Sequence, residues 1–336
     1  MALGYFFGTD GAAVEPAGAE FYEQYDVMRS WCEQVQKWTG CEMPELYRED
    51  FTPSLMPSGP ITPHVPEDLS VRPDFLHRAE VRQAAYAIGI TDVLAEEGIF
   101  PEFIVGTSLG GLVAACVAGS YEREELFQLL GRISELPLAP ADEAARGIAF
   151  AMLPGNADID WYCGENRPHV YLVLQQMVRS RRWVMLSGYL KDLQKLAAEA
   201  PRGQIQSVVG TVGGSHTPLQ TFMQELIKPI LDEIDFCAPR VRLFSAVAGE
   251  RLGMELKTGE DVRADLLDSY VKPSSTVVDL AAALEKHNPR MGLAIGSAMR
   301  FGPPPSTYPV LQAAVAEDIG QIMTMIYDLG LELKGM

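Results

Sequence analysis

Residues 103–111 read FIVGTSLGG, and residues 112–119 continue LVAACVAG. Phe103, Ile104 and Val105 have the composition of a short buried strand, and the apolar run beyond Ser108 is that of a buried helix. Ser108 is thus the centre of a G-x-S-x-G pattern set between a strand and a helix. In that context the pattern is a nucleophile elbow. The sharp turn exposes the serine hydroxyl, and the helix N-terminus offers a backbone N–H and a favourable dipole to an oxyanion. Out of context the same five residues describe a glycine-rich turn that only packs strand on helix, so the flanking elements carry the assignment. The stretch from Phe103 to Tyr121 has no charge, but four glycines, two serines and a threonine interrupt it. A strand running into a buried helix explains it better than a membrane span does.

Working outward, Leu3 to Phe7 form an apolar run ending in GTDG, the pattern of a buried strand and a tight turn. The helical spacing of Phe21, Tyr22, Tyr25, Met28, Trp31, Cys32, Val35 and Trp38 predicts a helix over 19–38 that stops at Gly40. Six prolines (53, 57, 60, 63, 66 and 73) make the next segment an irregular loop or a lid, and 78–97 reads as a second helix. From Gly147 the pattern becomes strand 147–153, helix 157–165, strand 169–177, strand 182–187, helix 189–200 and strand 204–210. That βαββαβ order is the order of a ferredoxin-like module. Beyond it lie a helix at 218–235, strands at 241–247 and 291–295, and helices at 275–286 and 310–328. The expected fold is α/β: a hydrolase-like parallel-sheet large domain from 1–146 and 211–336, with an inserted ferredoxin-like small domain at 147–210.

The length of 336 residues accommodates two such units, and the 47% hydrophobic and 21% charged composition is that of an ordinary globular chain. A net charge of −18 disfavours nucleic acid as a partner. The opening MALGYFFGTDG lacks a basic region followed by an apolar one, so a cytoplasmic protein without membrane association is expected. Cys32, Cys41, Cys116, Cys163 and Cys237 are scattered, which fits reduced thiols and neither a disulfide framework nor a metal site.

A serine nucleophile needs a base, and there are five histidines. His216, in VGTVGGSHTP, follows an expected strand in a glycine-rich turn, with Pro218 opening the next helix. A helix-terminal histidine satisfied by backbone is the bland alternative. His64 lies among the prolines, His77 and His169 beside charged or proline-rich ends, and His287 at a helix end.

The run from Gln83 to Gly119 resembles the corresponding stretch of malonyl-CoA:acyl-carrier-protein transacylases and polyketide-synthase acyltransferases. GGSHTPL is similar to their active-site histidine turn, FFGTDG to a degraded form of their first loop, and LFSAVAGE to the strand after the histidine. The resemblance covers nearly the whole chain in order, the inserted module included. It implies that Ser108 forms an acyl-enzyme and that His216 acts as general base and then general acid. It implies further that the carbonyl of Ser269 orients His216, and that the N–H groups of Leu109 and Thr9 form the oxyanion hole. No metal or cofactor is implied, the substrate being carried on the phosphopantetheine of a carrier protein or of coenzyme A. Gln83, Arg132, Ile133, Gly213, Gly214 and Ser215 would be in the acyl pocket.

Departures from the family pattern bear on specificity. Thr107 and Gly111 stand where malonyl-type members have histidine and glutamate. The ungapped position of the arginine that holds the free carboxylate is Ile133, with Arg132 beside it. Losing a bidentate guanidinium removes selection for a dicarboxylic acyl group. Gly213, Gly214 and Ser215 replace bulky residues, which implies a wider pocket. The expected activity is that of a discrete, trans-acting acyltransferase in polyketide biosynthesis. It moves a non-malonyl acyl group, such as an aminoacyl, peptidyl or other starter unit, between acyl carrier proteins. Arg179, Arg181, Arg182 and Arg300 would dock the acidic carrier, although a run such as RSRR is also an ordinary solvated turn. A carrier-thioester hydrolase and a malonyl transferase using Arg132 stay open as alternatives. The elbow also resembles that of patatin-like lipases, but their Asp-Gly lies downstream of the serine. The only Asp-Gly here is Asp10-Gly11, upstream. A non-catalytic binding module would leave both Ser108 and His216 unexplained.

Overall fold

The computed structural model describes residues 3–8, 17–43, 73–137, 140, 144–211, 216–296 and 306–333. Two sheets organise them. The larger is built from β1 (Leu3–Phe7), β2 (Phe103–Gly106), β7 (Arg242–Phe244), β8 (Glu255–Leu256), β9 (Met291–Ile295) and β10 (Val310–Ala313), in the order β10-β9-β1-β2-β7-β8. All neighbours are parallel except β8, which returns antiparallel beside β7. Helices cover both faces, so strands such as LGYFF and MGLAI are buried along their whole length and read as unbroken apolar runs.

The helices are α1 (Ala17–Gln24), α2 (Asp26–Thr39), α3 (Pro73–Glu96), α4 (Leu109–Val117), α5 (Arg123–Ser134), α7 (Thr221–Asp232), α8 (Gly259–Val271), α9 (Val277–Leu284) and α10 (Asp318–Asp328). Trp31 of α2 and Phe127 of α5 pack at 5.7 Å, within a core shared with α3. Gly40 caps α2 in the left-handed conformation, as its place in the sequence suggests. No helix among the described residues is long and apolar enough to cross a membrane.

The smaller sheet holds β3 (Arg146–Pro154), β4 (Val170–Val178), β5 (Arg181–Tyr189) and β6 (Ile205–Thr211), with helix α6 (Leu190–Glu199) between the last two. Its order β4-β5-β3-β6, antiparallel throughout, is the ferredoxin-like arrangement. Leu193 and Leu196 of α6 pack with one face, and the other buries Phe150, Val173, Leu174 and Trp183. Val173 interrupts the β4–β5 register. Its carbonyl accepts the N–H of Ser274 at 2.9 Å, tying the small sheet to the segment after α8.

Four local expectations differ from what is observed. The single helix expected over 19–38 is two, broken at Tyr25, whose backbone is extended (φ −117°, ψ 124°). The helix expected at 157–165 is two short 3-10 turns, Ile159–Trp161 and Gly164–Asn166. Residues 310–313 form a strand on β9, not the start of a helix, because a four-residue apolar run is ambiguous until a neighbouring edge decides it. Helix α8 has no counterpart in the expected elements, and its mixed charge pattern explains why. The proline-rich segment lies outside the described residues apart from Pro73, which begins α3.

Candidate active site

The elbow is built where β1 and β2 end side by side. Phe7 pairs with Gly106, and the N–H of Thr107 donates to the Phe7 carbonyl at 3.0 Å. The turn needs both glycines of the motif. A Cβ on Gly106 would stand 1.9 Å from the Gly110 carbonyl oxygen, and one on Gly110 would stand 2.4 Å from that of Phe7. Held between these contacts, Ser108 is exposed and adopts φ 56°, ψ −130°, a region that side-chain-bearing residues rarely occupy. Its successor Leu109 opens α4, so the Leu109 N–H is among the amides that a helix leaves for an outside acceptor. Thr9 lies outside the described residues, as do Gly213, Gly214, Ser215 and Arg300.

His216 is also left-handed, at φ 61°. Its Nδ1 lies 2.6 Å from the carbonyl oxygen of Ser269, in the last turn of α8. A carbonyl can only accept, so Nδ1 carries the proton and Nε2 keeps its lone pair. Burial lowers the pKa of this ring below the usual histidine value, an effect that the Ser269 hydrogen bond partly opposes. The neutral, proton-accepting form therefore prevails at neutral pH.

Ser108 and His216 line one open pocket. One wall is the small-residue stripe of α4, Gly111, Ala114 and Ala115; the facing wall is the α8 stripe of Val262, Asp265, Leu266 and Ser269. Leu243, Ala246, Val247 and Leu256 close it, and none of its described lining residues is Lys or Arg. The hydroxyl of Thr107, on the same wall as the elbow, is buried without a hydrogen-bond partner among the described residues.

Asp265, which no motif in the sequence marks, also lines this pocket. Its Oδ1 accepts the Ser245 hydroxyl at 2.5 Å, and the Arg251 guanidinium stands 3.7 Å away, beyond hydrogen-bonding distance. Burial raises this carboxyl to about 6, against the lowering effects of Ser245 and Arg251. The available signal was one acidic residue within an otherwise apolar i, i+3, i+4 stripe (Val262, Asp265, Leu266), visible once α8 is known to be a helix.

Other residues singled out in the sequence lie elsewhere. Arg132 is 43% exposed and pairs with Glu233 at 2.8 Å; Ile133 packs against the main core; Gln83 is partly buried on α3. None of the three is among the residues that line the pocket. In the β4–β5 turn, Arg181 donates to the Met152 carbonyl and Arg182 to that of Gly155, both within the small sheet. Arg179 is left-handed and exposed.

A model of the patatin-like phospholipase family matches residues 81–246, just under half of the chain. The spectinabilin polyketide synthase system protein NorA' of Streptomyces orinoci is 27% identical over 200 residues, covering 59% of this chain and 5% of that protein. The chain spans a tenth or less of the length of the curated relatives it matches. Among solved structures, the malonyl CoA-acyl carrier protein transacylase from Clostridium perfringens superposes with a TM-score of 0.75 at 16% identity, over 98% of this chain and 99% of that one. A malonyl-transacylase in complex with its type II polyketide-synthase acyl-carrier protein gives 0.74 at 14% identity, over 98% and 100%. The chain thus has the fold of the malonyl-CoA:acyl-carrier-protein transacylases. The patatin-like match spans the strand–elbow–helix unit, and no Asp-Gly pair lies downstream of Ser108.

Proposed function

We propose that the protein is an acyltransferase that moves a non-malonyl acyl group between phosphopantetheine thioesters of acyl carrier proteins, through an acyl-enzyme on Ser108. The observation that carries this reading is the convergence of Ser108 and His216, both in strained backbone conformations, on one pocket, with His216 held by the Ser269 carbonyl. The Ser108 hydroxyl attacks the thioester carbonyl and its proton passes to Nε2 of His216. The Leu109 N–H, together with that of Thr9, would receive the oxyanion. Collapse of the tetrahedral adduct breaks the C–S bond, and the departing sulfur takes the proton from His216. The second half repeats these steps in reverse with an acceptor thiol, which His216 deprotonates and whose sulfur replaces Ser108 on the acyl carbon.

The apolar lining and the absence of Lys or Arg among its described residues support a substrate with no free carboxylate, because an unpaired buried carboxylate costs several kcal/mol. Arg132 pairs with Glu233 and is not among the residues that line the pocket, which supports the same reading. A second reading replaces the acceptor thiol by water, and the patatin-like phospholipase match favours it. Intact-protein mass spectrometry tests both. After incubation with a panel of acyl-carrier thioesters, a neutral acyl mass is expected on Ser108 and is expected to leave when a second carrier is added. Release without a carrier would establish the hydrolase, and exclusive loading of malonyl would overturn the specificity.

A further inference from the structure

The proposed reaction leaves one buried ionisable group of the pocket without a task. Asp265 lies on the α8 stripe that lines the cavity, four residues before Ser269. Residues at i and i+4 share a helix face and are separated by ~6 Å along the axis. Asp265 therefore sits one turn along the pocket wall from the carbonyl that holds His216. On the same two walls Gly111, Ala114, Ala115, Val262 and Leu266 offer no polar side chain.

A carboxylate can accept about four hydrogen bonds. Among the described residues one donor stands at short range, the Ser245 hydroxyl, whose own oxygen accepts the N–H of Val247 at 3.2 Å. The neighbouring cations are largely committed. Arg251 is closer to Asp268, at 3.3 Å, than to Asp265, and Lys272 is bound to Asp268 at 2.7 Å. Tyr270, the one other titratable side chain between Asp265 and Lys272 besides Asp268, does not line the pocket. Asp265 is thus an incompletely satisfied acceptor bordering an apolar cavity, where an unmade hydrogen bond is expensive.

Resting on the acyl-enzyme reading above, we propose that Asp265 is a specificity-determining residue that recognises a hydrogen-bond donor, an amino or hydroxyl group, several atoms along the acyl chain held by Ser108. A donor at that point completes the carboxylate's coordination. A carboxyl-terminated chain meets like charge in place of a clamp, so the same residue selects against dicarboxylic groups.

The test uses pantetheine thioesters of matched four-, six- and eight-carbon chains that end in methyl, hydroxyl, amine or carboxyl. Acylation of Ser108 is followed by mass spectrometry in the parent protein, Asp265→Asn and Asp265→Leu, with folding of each checked by thermal melting. At one chain length the parent is expected to load the amine- or hydroxyl-ended chain at least tenfold better than the methyl-ended one. That ratio is expected to fall about tenfold in both variants, and a larger loss for amine than for hydroxyl identifies the cationic donor as preferred. A structural role for Asp265 would slow all chains equally and leave the ratio unmoved, which overturns the inference while Ser108 still loads. Absence of any acyl adduct in the parent overturns the acyl-enzyme reading and this inference with it.

Discussion

Ser108 and His216 both adopt positive-φ backbone conformations that side-chain-bearing residues avoid, a strain that persists only where the surroundings over-determine it. Ser108→Ala is expected to abolish the acyl adduct, and His216→Ala to slow its formation by several orders of magnitude, read by single-turnover mass spectrometry. Retention of a tenth of the parent rate in either variant would remove the pair from the mechanism. In the proposed mechanism the depressed pKa of His216 would set the acid side of the pH profile. Because burial disfavours the imidazolium, the base stays neutral below the usual 6.5, and the fall in acylation rate is expected at a lower pH than that. Asp265 has the opposite displacement, from 3.8 up to about 6. Between these values the folded state holds a proton that the unfolded chain has released, so this residue's contribution to stability is present below pH 4 and is lost as pH rises through 6. Asp265→Asn is therefore expected to raise stability by about 3 kcal/mol at pH 8 and to leave it nearly unchanged at pH 4, measured by urea unfolding at both.

Among the elements, α4 is decisive because its glycines have different duties. Gly110 lies against the β1 backbone, and Gly110→Ala is expected to cost about 1–3 kcal/mol through forced movement of Phe7 and Gly8, measured by denaturant unfolding. Gly111 is different: a Cβ there would make ordinary contacts, 3.4 Å to the Gly106 carbonyl oxygen and 3.8 Å to Leu266. Gly111→Leu is expected to fold, to fill the pocket beside Leu266, and to shorten the longest acyl chain that Ser108 accepts, read from a chain-length series. Substituting Ile133 with arginine would not build a carboxylate clamp, since that side chain belongs to the core under α5 and not to the pocket. Arg132, one residue earlier and so turned by about 100° about the same helix, pairs with Glu233.

At the scale of the whole molecule, the small sheet is joined to the site by the Val173–Ser274 hydrogen bond, and its β4–β5 turn lies six residues farther along β4, ~20 Å away. Arg181 and Arg182 brace backbone carbonyls there, so reversing all three charges of RSRR would mix docking with folding. Arg179→Glu alone is the cleaner variant. If carrier docking uses this turn, its KM for a carrier-bound donor is expected to rise and to become less salt-dependent, while a short pantetheine thioester is handled as before. The α/β class, the ferredoxin-like order of strands and the serine elbow were legible in the sequence, because each rests on local patterns: strand runs buried on both faces, a period change near Gly147, and glycines demanded by the turn around Ser108. The edge strand at Val310–Ala313, the break at Tyr25, the outward pairing of Arg132 and the place of Asp265 in the pocket wall were decided by tertiary structure alone. Short apolar runs take their conformation from the neighbour they pair with. A charged side chain takes its role from the residues brought beside it, and for Asp265 these are Ser245 and Arg251, 20 and 14 positions distant in the chain.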